Sequence, residues 1–345
     1  MSFDVESVLS AMDKPVARWL VTGAGGFIGS HLIEALLGAG QQVVAIDNFA
    51  TGHRRNIDEV LAALPASARS AFEFIEADLC DVDRMAQAVR GVDYVLHQAA
   101  IGSVPRSIAQ PLYSFSANVD GFFKLMIAAK DAGVRRFVYA SSSSVYGDSP
   151  SLPKREDQTG KVLSPYAATK AADELFADVV ARCYGMPCAG LRYFNVFGAR
   201  QDPKGPYAAV IPVWTDALMR GEPVRINGDG QTSRDFCYVA NAVQANLRAA
   251  ITSVAETGHE VYNIAVGKQT TLNQLFYLLR ERVARICPGA ADQEPVHVGF
   301  RAGDIRHSLA DTTKAGRMLG YAPSHSIEQG LDVAVAWYLR QGATV

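Results

Sequence analysis

From Arg18 onward, short apolar runs rich in β-branched residues alternate with longer amphipathic stretches. The runs are Trp19-Val21, Gln42-Ile46, Phe72-Ile75, Tyr94-His97, Phe137-Ala140 and Cys188-Arg192, and each reads as a buried strand. Apolar residues recurring three and four apart predict helices near Phe27-Leu37, Asp81-Val89, Pro111-Ala132 and Pro165-Tyr184. Strands separated by helix-length segments imply βαβ units, so the pattern predicts an α/β fold with a doubly wound parallel sheet of Rossmann type. After Asn195 the rhythm gives way to loops rich in Gly and Pro, with helices near Tyr207-Met219, Ala240-Ala250, Leu272-Val283 and Ser326-Leu339. That change predicts a smaller mixed α/β C-terminal lobe.

The expected division is an N-terminal extension over 1–17, a dinucleotide-binding domain over 18–194, and a ligand-binding lobe over 195–345. Residues 235–265 are expected to return to the first domain, with Val261-Ala265 adding a strand. The helices near 111–132 and 165–184 are long enough to leave a face free, and a homodimer through them is expected.

Composition narrows the classes of partner. The 345 residues are 49% hydrophobic and 20% charged, enough to bury a sizeable core. A net charge of -2 without a long basic run gives no electrostatic reason to expect nucleic acid or an anionic membrane. No run is long enough to span a bilayer, and Met1-Pro15 lacks the cationic start and apolar centre of a secretory signal, so a cytoplasmic location is expected. Five scattered cysteines and seven histidines show no metal-ligand spacing, so no metal is assigned.

Candidate chemistry begins at Trp19-Leu-Val-Thr-Gly-Ala-Gly-Gly-Phe-Ile-Gly29, a glycine-rich turn between strand and helix. Gly23, Gly26 and Gly29 are three apart, a spacing that lets backbone approach a pyrophosphate at the helix N-terminus. Asp47, closing the second strand, is placed to accept hydrogen bonds from a ribose and to repel a 2′-phosphate, which favours NAD over NADP. Asp78 after the third strand either caps the next helix or faces the adenine.

Tyr166 and Lys170 are four apart in a predicted helix and share a face. An unperturbed tyrosine, with a pKa of about 10, is a poor base near neutrality, and a nearby ammonium favours the phenolate. Such a pair is suited to taking a proton from a sugar hydroxyl. On its own the spacing is also that of any solvated helix face.

The order of motifs adds more than any one of them. Gly23-x-x-Gly26-x-x-Gly29, Asp47-Asn48, His97-Gln-Ala-Ala100, Ser141-Ser-Ser-Ser-Val-Tyr-Gly147, Tyr166-x-x-x-Lys170 and Arg192-Tyr-Phe-Asn-Val-Phe-Gly198 follow one another along the chain. Together they resemble the extended short-chain dehydrogenase/reductases, specifically the nucleotide-sugar 4-epimerases, from about Arg18 to Trp337. The resemblance implies that Tyr166 removes the proton from the sugar 4-hydroxyl while C4 gives hydride to tightly bound NAD, and that a 4-keto intermediate rotates before the hydride returns. It gives Lys170 the role of activator, Ser142 that of hydrogen-bond partner to the reacting oxygen, and Ser144 a share in the proton relay. It also assigns Phe27, Ile28, Asn48, Gln98, Ala99, Asn118 and Tyr193 to the cofactor.

Dehydratases of this group carry an Asp-Glu pair directly after the catalytic Ser or Thr. Here Ser143 and Ser144 stand there and cannot supply the acid and base of an elimination, so epimerisation outranks dehydration. For the UDP-sugar, the resemblance assigns Asn195, Arg234 and Arg301 to the diphosphate, and Ala209, Val210, Trp214, Ile226, Asn227 and Asp304 to the uracil and ribose. Ser103 and Ser143 are further expected substrate contacts. Ser308 occupies a position where glucose-restricted relatives carry a bulky Tyr, and Gly102-Ser107 resembles epimerases that prefer N-acetylated hexosamines. The expected substrates are therefore UDP-N-acetylglucosamine and UDP-N-acetylgalactosamine. UDP-N-acetylhexosaminuronic acids and UDP-glucose/galactose are the alternatives, with dehydration or decarboxylation ranked lower.

Overall fold

The computed structural model describes residues 4–204, 208–252, 258–300 and 305–342. Seven strands form one parallel sheet: β1 Arg18–Thr22, β2 Gln42–Asp47, β3 Phe72–Glu76, β4 Tyr94–His97, β5 Arg136–Ser142, β6 Cys188–Tyr193 and β7 His259–Ile264. Their order across the sheet is β7-β6-β5-β4-β1-β2-β3, with every neighbouring pair parallel.

The strands are apolar on both faces because helices cover both. Along β1, Trp19 and Val21 enter one core and Leu20 the other; along β2, Val43 and Ala45 alternate in the same way with Val44 and Ile46. Two-residue periodicity thus divides strands β1 to β6 between two hydrophobic layers. The helix Val239–Ile251 adds Val243, Ala245, Leu247, Ala249 and Ala250 to the first layer, and β7 completes the edge beside β6.

The chain runs outward from β1 through β2 to β3, then crosses back to β4 and proceeds the other way. Between β1 and β4 the direction of winding reverses, which opens a crevice at the carboxyl ends of those strands. The glycine turn after β1 and the His97-Ala100 segment after β4 lie there side by side, with Thr22 paired to His97.

Later elements build around a third core in which the helices Val210–Arg220, Leu272–Ala284 and Ile327–Gly342 pack together. Small two-stranded pairs frame it: Val196–Phe197 with Cys237–Tyr238, Ser233–Arg234 with Thr270–Thr271, and Arg225–Asn227 with Val296–Val298. Near the N-terminus, a short helix at Val5–Leu9 buries Val8 and Leu9 against the first core.

Two boundaries differ from the pattern reading. The stretch expected as one helix near Pro111-Ala132 is a helix at Pro111–Phe115, a π-helical turn at Ser116–Asp120 and a helix at Gly121–Asp131. An apolar pattern does not register one wide turn, which here carries Asn118 into the interior. The helix expected near Tyr207-Met219 is observed from Val210, and Tyr207 lies outside the described residues.

Candidate active site

The crevice is a cavity of about 550 Å³. Its floor is the glycine turn. Gly23 has a φ of 67°, and a Cβ on it would lie 2.7 Å from the Ala99 nitrogen. A Cβ on Gly29 would strike the Gly23 carbonyl oxygen. Both positions therefore need glycine, for a left-handed turn in one case and close packing in the other. Gly26 caps the helix Phe27–Gly38 without any side-chain hydrogen bond, so no cap side chain covers the amides of the first turn. Those amides and the helix dipole favour an anion.

Asp47 lies at the cavity wall, 8% exposed, where Oδ2 accepts from the Gly25 amide at 2.8 Å and Oδ1 from the Phe49 amide at 2.7 Å. Burial pushes this carboxyl above its usual range, opposed by those amide hydrogen bonds. Asn48 and Asp78 complete the rim, with Asn48 Nδ2 donating to Asp78 Oδ2 at 2.8 Å. Asp78 also accepts from the Cys80 amide, a turn-forming contact, while lining the cavity.

At the other end Ser142, Tyr166 and Lys170 meet on the cavity wall. Tyr166 is at the start of the helix Pro165–Tyr184, whose first turn is fixed by Ser164 accepting from the Ala167 amide and by Ser107 Oγ accepting from the Tyr166 amide. Lys170 follows one turn later, 1% exposed, with Nζ 3.1 Å from Asp173 Oδ2. Ser142 ends β5, paired in register with Tyr193 on β6, and its Oγ accepts from the Ser144 amide at 3.1 Å. Ser143 and Ser144 begin the following 3-10 turn and do not line the cavity. The Ser144 hydroxyl is buried without a hydrogen-bond partner among the described residues.

Behind the catalytic wall, Glu174 accepts from Arg192 Nε at 2.9 Å, from Arg192 Nη2 at 2.7 Å and from Ser141 Oγ at 2.6 Å. This two-pronged pair ties β5 and β6 to the helix that carries Tyr166 and Lys170. A second device is a closed ring of hydrogen bonds. Asn246 Nδ2 donates to Tyr193 OH at 2.7 Å, Tyr193 OH to Gln98 Oε1 at 3.0 Å, and Gln98 Nε2 to Asn246 Oδ1 at 2.9 Å. Asn246 Nδ2 also donates to the Ala242 carbonyl, which fixes the polarity of the whole ring. Gln98 and Tyr193 line the cavity with Ala99, whereas Asn246 is fully buried behind them.

Asn118 does not reach the cavity surface. Its Oδ1 accepts from the Ile101 amide at 2.7 Å, and its Nδ2 donates to the Ile101 carbonyl and Thr169 Oγ1. It is a clamp between the β4 loop and the Tyr166 helix. A direct cofactor contact from its side chain does not fit this arrangement, because its polar atoms are already engaged.

A second cavity of about 290 Å³ contains Asn195, Ala209, Val210, Trp214, Asn227 and Arg234. Asn195 has a φ of 32°, a conformation that asparagine tolerates better than most residues. Ile226 is excluded from this cavity, since Arg225 and Asn227 face it and strand alternation turns Ile226 into the third core. Ser308 lines neither cavity; its amide donates to the Ser233 carbonyl at 3.1 Å, beside the strand that carries Arg234. Arg301 and Asp304 lie outside the described residues.

The NAD dependent epimerase/dehydratase family matches residues 19–265, from β1 to just beyond β7. The chain belongs to this family. It is 35% identical over 323 residues to the UDP-glucose 4-epimerase of Mycolicibacterium smegmatis, covering 93% of this chain and 98% of that one. The structure of UDP-N-acetylglucosamine 4-epimerase from Methanobrevibacter ruminantium, in complex with UDP-N-acetylmuramic acid, superposes with a TM-score of 0.86 at 37% identity, covering 95% of this chain and all of that one. UDP-glucuronic acid 4-epimerase from Bacillus cereus, in complex with UDP-glucuronic acid and NAD, gives 0.81 at 30% identity over 94% of this chain and 99% of that one. These relatives place the enzyme among the UDP-sugar 4-epimerases of the family, and NAD is its cofactor. The tight glycine turn, the uncapped helix and the Asp47 wall fit that dinucleotide.

Several cavity residues of the enzyme escaped the motif reading. Tyr113, Asp202 and Lys204 line the first cavity, and Gln201, Phe236 and Leu272 the second. Asp202 was reachable only through the fold: it accepts from His53 Nε2 at 2.8 Å across 149 residues of sequence. Lys204 follows it in the same loop.

Proposed function

We propose that the enzyme interconverts UDP-N-acetylglucosamine and UDP-N-acetylgalactosamine by reversible epimerisation at C4. The observation that carries the chemistry is the convergence of Ser142, Tyr166 and Lys170 on the wall of the cavity floored by the glycine turn. NAD, when bound there, supplies a reversible hydride acceptor. Tyr166 takes the proton of the 4-hydroxyl and later returns one, Ser142 holds the reacting oxygen, and Lys170 supplies the positive charge that favours the phenolate. Gly23, Gly26 and the first turn from Phe27 and Ile28 hold the diphosphate of the cofactor, with Asp47 at its ribose. Asn195 and Arg234 hold the diphosphate of the sugar nucleotide, and Trp214 with Ala209 and Val210 flanks its base. Anchoring the nucleotide in a separate cavity leaves the sugar free to present either face at C4.

The acetamido preference rests on the sequence resemblance at Ser308, which lines neither cavity, and on the segment ending in Ser107, whose hydroxyl accepts from the Tyr166 amide and so fixes that segment against the base. Purified enzyme is incubated with UDP-N-acetylglucosamine, without added cofactor, and the anomeric NMR signals are followed. The galacto isomer is expected; a 4-keto-6-deoxy or decarboxylated product overturns the reading. UDP-N-acetylhexosaminuronic acids are the second reading, favoured by the cations of Arg106 and Lys204 on the first cavity.

The enzyme acts as a homodimer in the same reading. Leu112 and Phe115 stand three apart and Leu175 and Val179 four apart, all exposed, on the adjoining helices Pro111–Phe115 and Pro165–Tyr184. Light scattering is expected to give twice the mass of one chain for the enzyme, and one chain's mass for Leu112→Lys/Leu175→Lys.

A further inference from the structure

The enzyme buries a carboxylate directly behind its catalytic lysine. Asp173 is 0% exposed and lies one turn beyond Lys170, with Oδ2 3.1 Å from Nζ. No other hydrogen-bond donor meets this carboxyl among the described residues: Oδ1 is buried and unpaired. A structural carboxylate in such a place would be expected to accept several amides, as Asp235 does from Val266, Gly267 and Ala310. Asp173 has the ammonium alone.

The surroundings show that this is a local charge balance. From β4, His97 faces Lys170, and burial together with the lysine charge holds its ring neutral by lowering it to about 3. From β5, Tyr139 faces Asp173 and Glu174, and burial drives its phenol well above the usual range. From β6, Arg192 is occupied by Glu174, and from β7, His259 is hydrogen-bonded to Tyr139. The helix Gly121–Asp131 contributes the apolar ring of Phe122 against His97 and Tyr139, and the π turn contributes neutral Asn118. Among these groups, Lys170 is the cation in contact with Asp173. Burial raises the Asp173 carboxyl to about 7, with Lys170 opposing that rise.

We propose that Asp173 is a positioning residue and counter-charge for Lys170: it holds the ammonium in place and offsets part of the field that this ammonium exerts on Tyr166. The inference rests on the assignment of Tyr166 as the base. The sign follows from Coulomb's law. A negative charge behind the cation weakens the stabilisation of a phenolate in front of it, so the base needs a higher pH to become active than it would with a neutral neighbour. Because the pair is buried, added salt screens it little.

Asp173→Asn keeps an oxygen for Lys170 and removes the charge. The acid limb of kcat/KM is expected to move to lower pH by about one unit, with little change between low and high salt. Difference absorbance near 295 nm, taken against Tyr166→Phe in the same background, reads phenolate formation without turnover and is expected to move the same way. Asp173→Ser is the second variant, should the asparagine not fold, and is expected to shift both readouts in the same direction. NAD content is measured in each protein, so that a shift through lost cofactor is recognised. A limb and a phenolate titration that stay in place or move to higher pH overturn the proposal. If no protein in the series epimerises any UDP-sugar, the functional reading fails, while the absorbance titration still decides the role of Asp173.

Discussion

Tyr166 and Ser308 test the proposed reaction at two different points. Removing the phenolic oxygen in Tyr166→Phe leaves the ring, the helix start and the glycine turn intact, so bound NAD should be retained while turnover falls by roughly 10²- to 10⁴-fold, the usual contribution of a positioned general base. Steady-state rates and the cofactor content of the purified variant check this together. Near-normal turnover would remove Tyr166 from the base role. Ser308 is partly buried, tied by its amide to Ser233. A tyrosine there is expected to depress kcat/KM for the N-acetylated sugars and to spare UDP-glucose and UDP-galactose. Equal losses on both substrate classes would show that Ser308 has no part in gating. The motifs made Tyr166, Lys170 and Ser142 legible because their spacing is local. Asp173 sat in the same helix, yet its importance depends on where the ammonium of Lys170 turns, which spacing alone does not say.

Between elements, the decisive features are closures made by residues far apart in sequence. Glu174 binds Arg192 across 18 residues, and Gln98 binds Asn246 across 148. The ring of Gln98, Tyr193 and Asn246 joins the β4 loop, β6 and the helix Val239–Ile251 behind the cavity. Asn246→Leu removes a donor from Tyr193 and an acceptor from Gln98 inside a buried network. It is expected to lower unfolding free energy by about 1–3 kcal/mol, the cost of leaving buried polar partners unsatisfied. Urea denaturation measures that loss, and an unchanged midpoint would argue that the ring carries little stability. Hydrophobic periodicity located the strands and most helices well, since both faces of the sheet are covered. It did not show the π turn around Asn118 or the inward orientation of Ile226. The first needs the Ile101 backbone as partner, and the second needs the register of a three-residue strand.

At the scale of the molecule, buried ionisable groups set how stability responds to acid. His97 is 1% exposed, and burial lowers its imidazole to about 3. An unfolded chain binds a proton there below about pH 6.5, while the folded chain does not, so the unfolded state takes up more protons on acidification. The contribution of His97 to unfolding free energy should therefore fall as pH drops through 6.5 toward 3, by about 1.4 kcal/mol per pH unit well inside that window, while the raised carboxyl of Asp173 acts in the opposite direction. Calorimetry across that range should show His97→Gln flattening the curve relative to the parent enzyme. The same slope in both proteins would assign the acid sensitivity elsewhere.

The sequence by itself determined the alternation of strands and helices, the glycine turn and the Tyr-Lys pair, because each is a short-range pattern whose meaning lies in neighbouring residues. Only the tertiary structure decided that the turn and the pair face one cavity, since a reversal of winding between β1 and β4 brings their carboxyl ends together. It also decided which polar groups lie open to that cavity and which are consumed in holding it. Asn118, Asn246 and Asp173 are buried by contacts that long-range packing creates, and burial is what gives their charges and hydrogen bonds their strength.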